Sequence, residues 1–366
     1  MTTTHLPPDL TRDGCLTRQQ RLRLHLDESG LDAALIADPD NVYYFTNFWA
    51  RLLFKPVFYL PVSGPAILCV PMEEDETWIA DEQRVYPSNR LCTLDDDQSR
   101  LSMGTIATEI SSCKRIGCDD ALRPWLLNGA SCEDLVGALM KMRRTKDPDE
   151  VDVIRHCIKG CEAAFECARE VVQPGVSELD IHASMHRAAT LAVGEPIGEF
   201  GNDFRANAAG GPPRIRPVEA GELMPLDVGV AVRGYHCDLC RTLCVGNNPS
   251  DSQAAAARKC EEMLDYVQET VRPDTSCKQL YEDVREMLEG YNGWSFPHHL
   301  GHGIGLFPHE APRLNPNWDD TIQVGDVIAV EPGLYSDELR AGVRIEDDFL
   351  VTKSGVERLS SHPRNL

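Results

Sequence analysis

Basic residues are scarce in this sequence. Against 58 Asp and Glu stand only 36 Lys and Arg, a formal net charge of −22. A partner with a phosphate backbone calls for the opposite sign, so nucleic acid is excluded as a partner. Long apolar runs are missing as well. None approaches the roughly 20 residues that cross a bilayer, and the N-terminus MTTTHLPPDL has neither the basic nor the apolar stretch of a signal peptide. We therefore expect a cytoplasmic protein with no membrane partner. Internal repeats and low-complexity tracts are absent. Cysteine is not scarce, with 14 residues, but it forms no dense framework. Cys237-Asp238-Leu239-Cys240 has CxxC spacing, yet the second such pair that would complete a zinc site is lacking. On a strand, residues three apart also face opposite sides. Most of the cysteines read as small buried hydrophobes.

What is present is an acidic globular chain, 42% apolar and 26% charged. Its 366 residues exceed one ordinary core and suggest two domains. Residues 1–142 read as an α/β unit. Arg18–Gly30 has helical spacing and ends on a glycine. DAALIAD reads as a short buried strand, PVFYLPVSGPAILCVP as two strands around a Ser-Gly turn, and KRIGCDD as another strand. The second domain, 143–366, starts at a strong helix signal. Asp147 caps, Pro148 suits the first helical position, and Glu150 closes a capping box. Val151, Ile154, Ile158, Cys161, Phe165 and Ala168 then form one apolar stripe. Further helices are expected at Ser177–Val193, Ser250–Val271 and Ser276–Leu288. Strand-like runs lie in ELMPLDVGVAVRGYHCDLCRTLCVG, DVIAVEPGLY and GVRIEDDFLVT.

The chemistry gathers in these runs. Asp227 and Asp238 stand eleven apart on either side of Arg233-Gly234. If the chain folds back there, the midpoint, 232.5, lies at the turn and the two face each other, with Cβ atoms roughly 5 Å apart. Opposed carboxylates repel unless a cation lies between them or one keeps its proton. Glu331 ends one apolar strand and Glu346 lies in another, fifteen residues on, so they too are placed to be opposed. Four of the eleven histidines fall in His298–Glu310, HHLGHGIGLFPHE. Among them His302 lies between glycines, where backbone and metal approach closely. Four carboxylates and one imidazole suit a pair of Mn²⁺, Co²⁺ or Fe²⁺ ions, with Zn²⁺ also open. Two such ions, roughly 3.5–4 Å apart, could share a bridging water and lower its pKa.

LDVGVAVRGYHCDLCRTLCVG, HHLGHGIGLFPHEAPR, VIAVEPGLY and GVRIEDDFLVT resemble, in order and spacing, the pita-bread metallopeptidases: prolidase, aminopeptidase P, methionine aminopeptidase and their relative creatinase. RLRLHLDESGLDAALIADPDNVYYFTNF resembles the start of the creatinase-type N-terminal domain, which favours the prolidase and aminopeptidase P branch. The resemblance implies a creatinase/prolidase-like N-terminal domain (1–142) and an α+β pita-bread catalytic domain (143–366). It implies Asp227, Asp238, His302, Glu331 and Glu346 as ligands of two divalent ions, Asp238 and Glu346 bridging. It implies a metal-bridging hydroxide as nucleophile, Glu331 as proton shuttle, His309 at the tetrahedral intermediate and His298 facing the substrate. Arg313 matches a residue that grips a substrate carboxylate, Glu310 a carboxylate-positioning partner, and Arg344 an orienting group for the ligands. His299 reads as a spare, exposed histidine. The implied reaction is hydrolysis of Xaa-Pro bonds in dipeptides or short peptides, by a homodimer in which one chain's N-terminal domain lies near the other's site.

One position departs from that pattern. Family peptidases usually carry a histidine on a loop before the first metal aspartate. Here the position falls at Gly210, and no histidine lies between His186 and His236. Arg214 or Arg216 is a candidate to take over the role, and Gly210→His is then expected to raise Xaa-Pro turnover. The alternatives are a hydrolase or lyase of a small amide, amidine or sulfonium compound on the same scaffold, and a binding protein without catalysis. An intact ligand set speaks against the last.

Overall fold

A computed structural model describes residues 7–50, 54–72, 78–88, 97–119, 127 and 129–366. The chain forms two compact units, Asp9–Arg143 and Arg144–Leu366, with Pro7 and Pro8 belonging to the second. In the described residues no helix is long and apolar enough to cross a membrane.

The first unit opens with helix α1 (Arg12–Ser29), six residues earlier than the apolar spacing suggests, because Thr11 caps it through Gly14 N. Gly30, at φ 66°, ends it. Then come β1 (Ala33–Ile36), α2 (Pro39–Thr46), β2 (Val57–Pro61), β3 (Ile67–Val70), β4 (Glu82–Val85), α3 (Gln98–Gly104), α4 (Ala107–Ser112), β5 (Arg115–Cys118), β6 (Ser131–Asp134) and α5 (Val136–Arg144). The six strands form one mixed sheet in the order β4-β3-β2-β1-β5-β6. β1 is buried along its whole length, as an uninterrupted apolar run requires. It pairs antiparallel with β2 and parallel with β5.

The second unit begins with α6 (Pro148–Val171). Asp147 is its cap, and the Glu150 carboxylate accepts from Asp147 N at 2.8 Å. The expected stripe from Val151 to Ala168 is buried. The remaining elements are α7 (Glu178–Val193), β7 (Leu223–Val228), β8 (Ala231–Val232), β9 (Tyr235–His236), β10 (Leu239–Cys244), α8 (Asp251–Thr270), α9 (Cys277–Leu288), β11 (Gly301–Gly303), β12 (Glu310–Leu314), β13 (Val327–Val330), β14 (Gly333–Ser336), β15 (Ala341–Arg344), β16 (Asp347–Thr352) and β17 (Gly355–Arg358). Serines 177, 250 and 276 cap α7, α8 and α9. An antiparallel sheet runs β12-β11-β13-β16-β17, with ribbons β7–β10, β8–β9 and β14–β15 beside it. Leu264 and Val267 of α8, with Leu280 and Val284 of α9, share one apolar core with Ile328, Val330, Phe349 and Val351 of that sheet. The core pins one face of the strands whose ends carry the acidic residues. Cys237 and Cys240 go separate ways, as strand alternation predicts. The Cys237 Sγ lies 3.2 Å from the Cys161 Sγ of α6, and Cys240 lies opposite Asp227 on β7.

Candidate metal centre

A hairpin and two ladders set the geometry. Asp227 stands opposite Cys240 in β7–β10, and Val232 opposite Tyr235 in β8–β9. The turn is therefore Arg233-Gly234, with φ of 48° and 82°, the positive values that two-residue hairpin loops favour. Its centre lies one residue past the midpoint of the aspartates. Asp227 and Asp238 are thus diagonal neighbours, not directly opposed, which corrects the sequence expectation. The displacement along the ladder is two residues. That is an even number, so both side chains keep the same face. One carboxylate oxygen from each of Asp227, Asp238 and Glu346 lies within 4.8 Å of the other two.

On the other side, Val330 stands opposite Asp347 and Gly333 opposite Arg344. Both ladders keep one register, so Glu331 and Glu346, between them, fall opposite each other. Glu346 N donates to Cys240 O at 3.0 Å and ties this strand pair to β10. His302 comes from β11, paired with Ala329 of β13. A Cβ on Gly301 would lie 2.0 Å from Ala329 O, and one on Gly303 2.1 Å from Ala311 O. Only glycine lets β11 fit between its neighbours, and this explains the glycines around His302. The His302 Nδ1 is 3.1 Å from Gly303 O. A carbonyl only accepts, so Nδ1 carries the proton and Nε2 is a bare lone pair. Nε2 lies 3.8 Å from both Asp238 Oδ2 and Glu331 Oε1. A ring nitrogen anchored to a backbone carbonyl is the usual support of a metal-binding imidazole.

Electrostatics make the same demand. Burial pushes Asp238 and Glu346 well above the usual carboxylate range, and the neighbouring carboxylates push the same way. Burial also raises Asp227, against the pull of the Arg344 guanidinium 2.7 Å away. At Glu331 burial acts upward too, but the His299 hydrogen bond and the surrounding imidazoles win and bring it to about 2. Burial lowers His302 to about 4, leaving it neutral as a metal ligand must be. The Glu346 Oε1 is buried and has no hydrogen-bond partner among the described residues. Converging carboxylates and an orphaned carboxylate oxygen are costly unless cations satisfy them. The residues fit a pair of divalent ions.

These groups open onto a cavity of about 460 Å³, the size of a small-molecule site. His298, His299, His309, Phe307, Glu199, Asp203 and His236 also line it. The His298 Nδ1 donates to His299 O (2.7 Å), so its Nε2 accepts from the Tyr335 hydroxyl (3.0 Å), which takes a long bond from Arg344 (3.4 Å). The His309 ring stacks on His302, centroids 3.9 Å apart. Glu310 forms a 2.9 Å ion pair with the buried Lys146. Arg313 stands opposite His302 on β12, and its guanidinium donates to His309 O. The described residues lining the cavity do not include it.

Three expectations need correction. His299 is no spare: its Nε2 lies 2.6 Å from Glu331 Oε1, inside the cavity. Arg214 and Arg216 do not replace the loop histidine, because they are spent in ion pairs with the buried Glu178 and Glu222. Gly210 is not an empty place, since a Cβ there would lie 2.4 Å from Asp203 Oδ2. Asp203 itself escaped the sequence reading. It sits in an irregular segment bridged to Asp227 and bonds Arg344 and Gly211 N, each at 2.5 Å. The paired glycines Gly210 and Gly211 were the available signal that something else fills the space.

Comparison with known proteins adds the following. The model of metallopeptidase family M24 matches residues 152–353, and that of the creatinase/prolidase N-terminal domain matches residues 18–142. A protein named Xaa-Pro dipeptidase from Pyrococcus horikoshii is 28% identical over 348 residues, covering 93% of this chain and 96% of its own. The solved Xaa-Pro dipeptidase from Bacillus anthracis superposes with a TM-score of 0.80 at 24% identity, over 96% of this chain and 99% of its own. The solved X-Pro aminopeptidase from Thermotoga maritima gives 0.78 at 23%, over 95% and 98%. At these identities the two structures speak for the two-domain pita-bread fold.

Proposed function

Because the chain belongs to metallopeptidase family M24, we propose that it cleaves the Xaa-Pro bond of dipeptides and short peptides with two divalent ions. The observation that carries the proposal is the clustering of Asp227, Asp238 and Glu346, with the bare His302 Nε2 3.8 Å from both Asp238 and Glu331, in one cavity. Asp227, Asp238 and Glu346 would hold one ion. His302 and Glu331, with Asp238 and Glu346 bridging, would hold the other. When bound, such a pair polarises the scissile carbonyl and lowers the pKa of a shared water. The catalytic role falls to residues 143–366.

The side chains supply the rest. Glu331, held ionised, carries the proton to the leaving nitrogen. His309, at the cavity wall, donates to the oxygen that becomes negative. His298 is fixed by its two hydrogen bonds at the cavity wall and faces the substrate. Arg313 closes on the substrate carboxylate at the mouth, turning from His309 O to do so. Mn²⁺ suits the carboxylate-rich donor set. A cytoplasmic homodimer belongs to the same proposal, and its dimeric state rests on the family resemblance.

The test is hydrolysis of Xaa-Pro dipeptides and Xaa-Pro-Yaa tripeptides by protein reloaded with Mn²⁺ or Co²⁺, with chelator-treated protein as control. Metal-dependent cleavage is expected, and the dipeptide-to-tripeptide ratio separates prolidase from aminopeptidase P. A second reading, a small amide, amidine or sulfonium substrate, draws on the Asp203–Arg344 pair standing where family peptidases keep a histidine. Inert protein that holds two ions would favour it.

A further inference from the structure

We propose that His299 is a sixth protein ligand of the metal pair, so that the two metal positions differ in kind. One is all carboxylate and suits Mn²⁺. The other carries two imidazoles and selects Zn²⁺ or another borderline ion. The inference rests on the dimetal reading above and deepens it.

Two of the groups that converge here differ in kind. Asp227, Asp238 and Glu346 offer oxygens alone. His299, His302 and Glu331 offer two nitrogens and an oxygen, all within 4.8 Å of one another. In the second group the His299 Nε2 and the His302 Nε2 approach the same Glu331 oxygen, at 2.6 and 3.8 Å. Their rings stand at 89° to each other, so the nitrogens reach Glu331 from different directions. His309 is also close, but its ring lies stacked on His302. A His309 nitrogen lies within 4.8 Å of ligand atoms of Asp238 and His302, but that group does not include Glu331, and the side chain hydrogen-bonded to the Glu331 oxygen is His299. The His299 side chain is 36% exposed, which leaves it room to turn from hydrogen bond to ligand. Imidazole favours Zn²⁺, Co²⁺ and Fe²⁺, whereas carboxylate favours Mn²⁺. The added nitrogen therefore separates the selectivities of two positions that share bridging carboxylates.

The experiment counts metals as well as turnover. Chelator-treated wild type, His299→Ala and His299→Gln are dialysed against equal free Zn²⁺ and Mn²⁺. Bound metal is measured by mass spectrometry, and zinc affinity by competition with a chromophoric chelator. Wild type is expected to hold one ion of each kind. Both variants should keep Mn²⁺ and lose zinc affinity by at least the roughly 10–100-fold that an outer partner of a ligand is worth. Glutamine still donates a hydrogen bond to Glu331 but has no imidazole nitrogen. Wild-type zinc affinity in His299→Gln would reduce His299 to a positioning residue and overturn the proposal, as would unchanged affinity in His299→Ala. X-ray absorption at the zinc edge gives an independent count, expected at two imidazoles in wild type; a count of one overturns the proposal even if a variant fails to fold. Wild type that binds no ions at all would instead sink the dimetal reading.

Discussion

Gly210→Ala is a small change with a calculable effect. The added Cβ would lie 2.4 Å from Asp203 Oδ2, 2.6 Å from its Cγ and 2.7 Å from Oδ1. A free carboxylate would swing aside, but this one is tied at both oxygens, to Gly211 N and to Arg344. Either the methyl is overpacked or the ion pair opens, and overpacking costs about 1–3 kcal/mol. Asp203→Ala removes the obstacle and forfeits a charge-assisted bond, also about 1–3 kcal/mol. In the double variant the Gly210→Ala cost should vanish. The assay is urea unfolding of all four proteins at saturating metal, with the coupling energy taken from the cycle. Costs that add within about 0.5 kcal/mol would mean the two positions do not touch, and the account of Asp203 would fall. The same geometry revises the expectation for Gly210→His. Alone it is predicted to disturb Arg344, and only beside Asp203→Ala does an imidazole have room.

Three further outcomes are expected. Asp347 is fully buried and answers Arg241, Arg358 and Arg364; Asp347→Asn should cost about 3–5 kcal/mol in urea unfolding, and a loss under about 1 kcal/mol would show that the arginines find other partners. Glu346→Ala should bind at most one ion per chain by mass spectrometry, and two ions with full turnover would end the ligand assignment. Burial and like charge raise Asp238 and Glu346 well above the usual carboxylate range, so protons compete with ions for them over a wider acid range, and ion affinity is expected to rise with pH. Calorimetry as a function of pH, in buffers of different ionisation enthalpy, reads this directly, and an affinity that stays flat as pH falls into the acid range would contradict those raised pKa values.

The helices of the second unit were legible because their starts are written locally. Asp147-Pro148 and serines 177, 250 and 276 each offer a cap whose partner lies three residues on. The strands around the site were legible through period two. The turn at Arg233-Gly234 was legible too, but the exact register was not, because the turn centre lies one residue past the midpoint of the two aspartates. Arg233 takes φ 48°, unusual for a branched-free but bulky side chain, and its guanidinium is anchored on Glu195 at 2.8 Å. No apolar pattern announces that choice.

That error left the ligand set unharmed, and the reason is general. Moving a turn centre by one residue moves each pairing by two, so every side chain keeps its face. Glu331 and Glu346 gain the same protection from two ladders that share one register. His299, which was misread, and Asp203, which was missed, have no such protection. His299 precedes β11, and Asp203 lies in an irregular segment, so spacing fixes no direction for either. Arg313 lies on a strand opposite His302, but a long side chain on the right strand still chooses among several partners. Which side chains share a face at strand ends is therefore readable from spacing. The wall that selects the substrate is built from loops, and it has to be read from contacts.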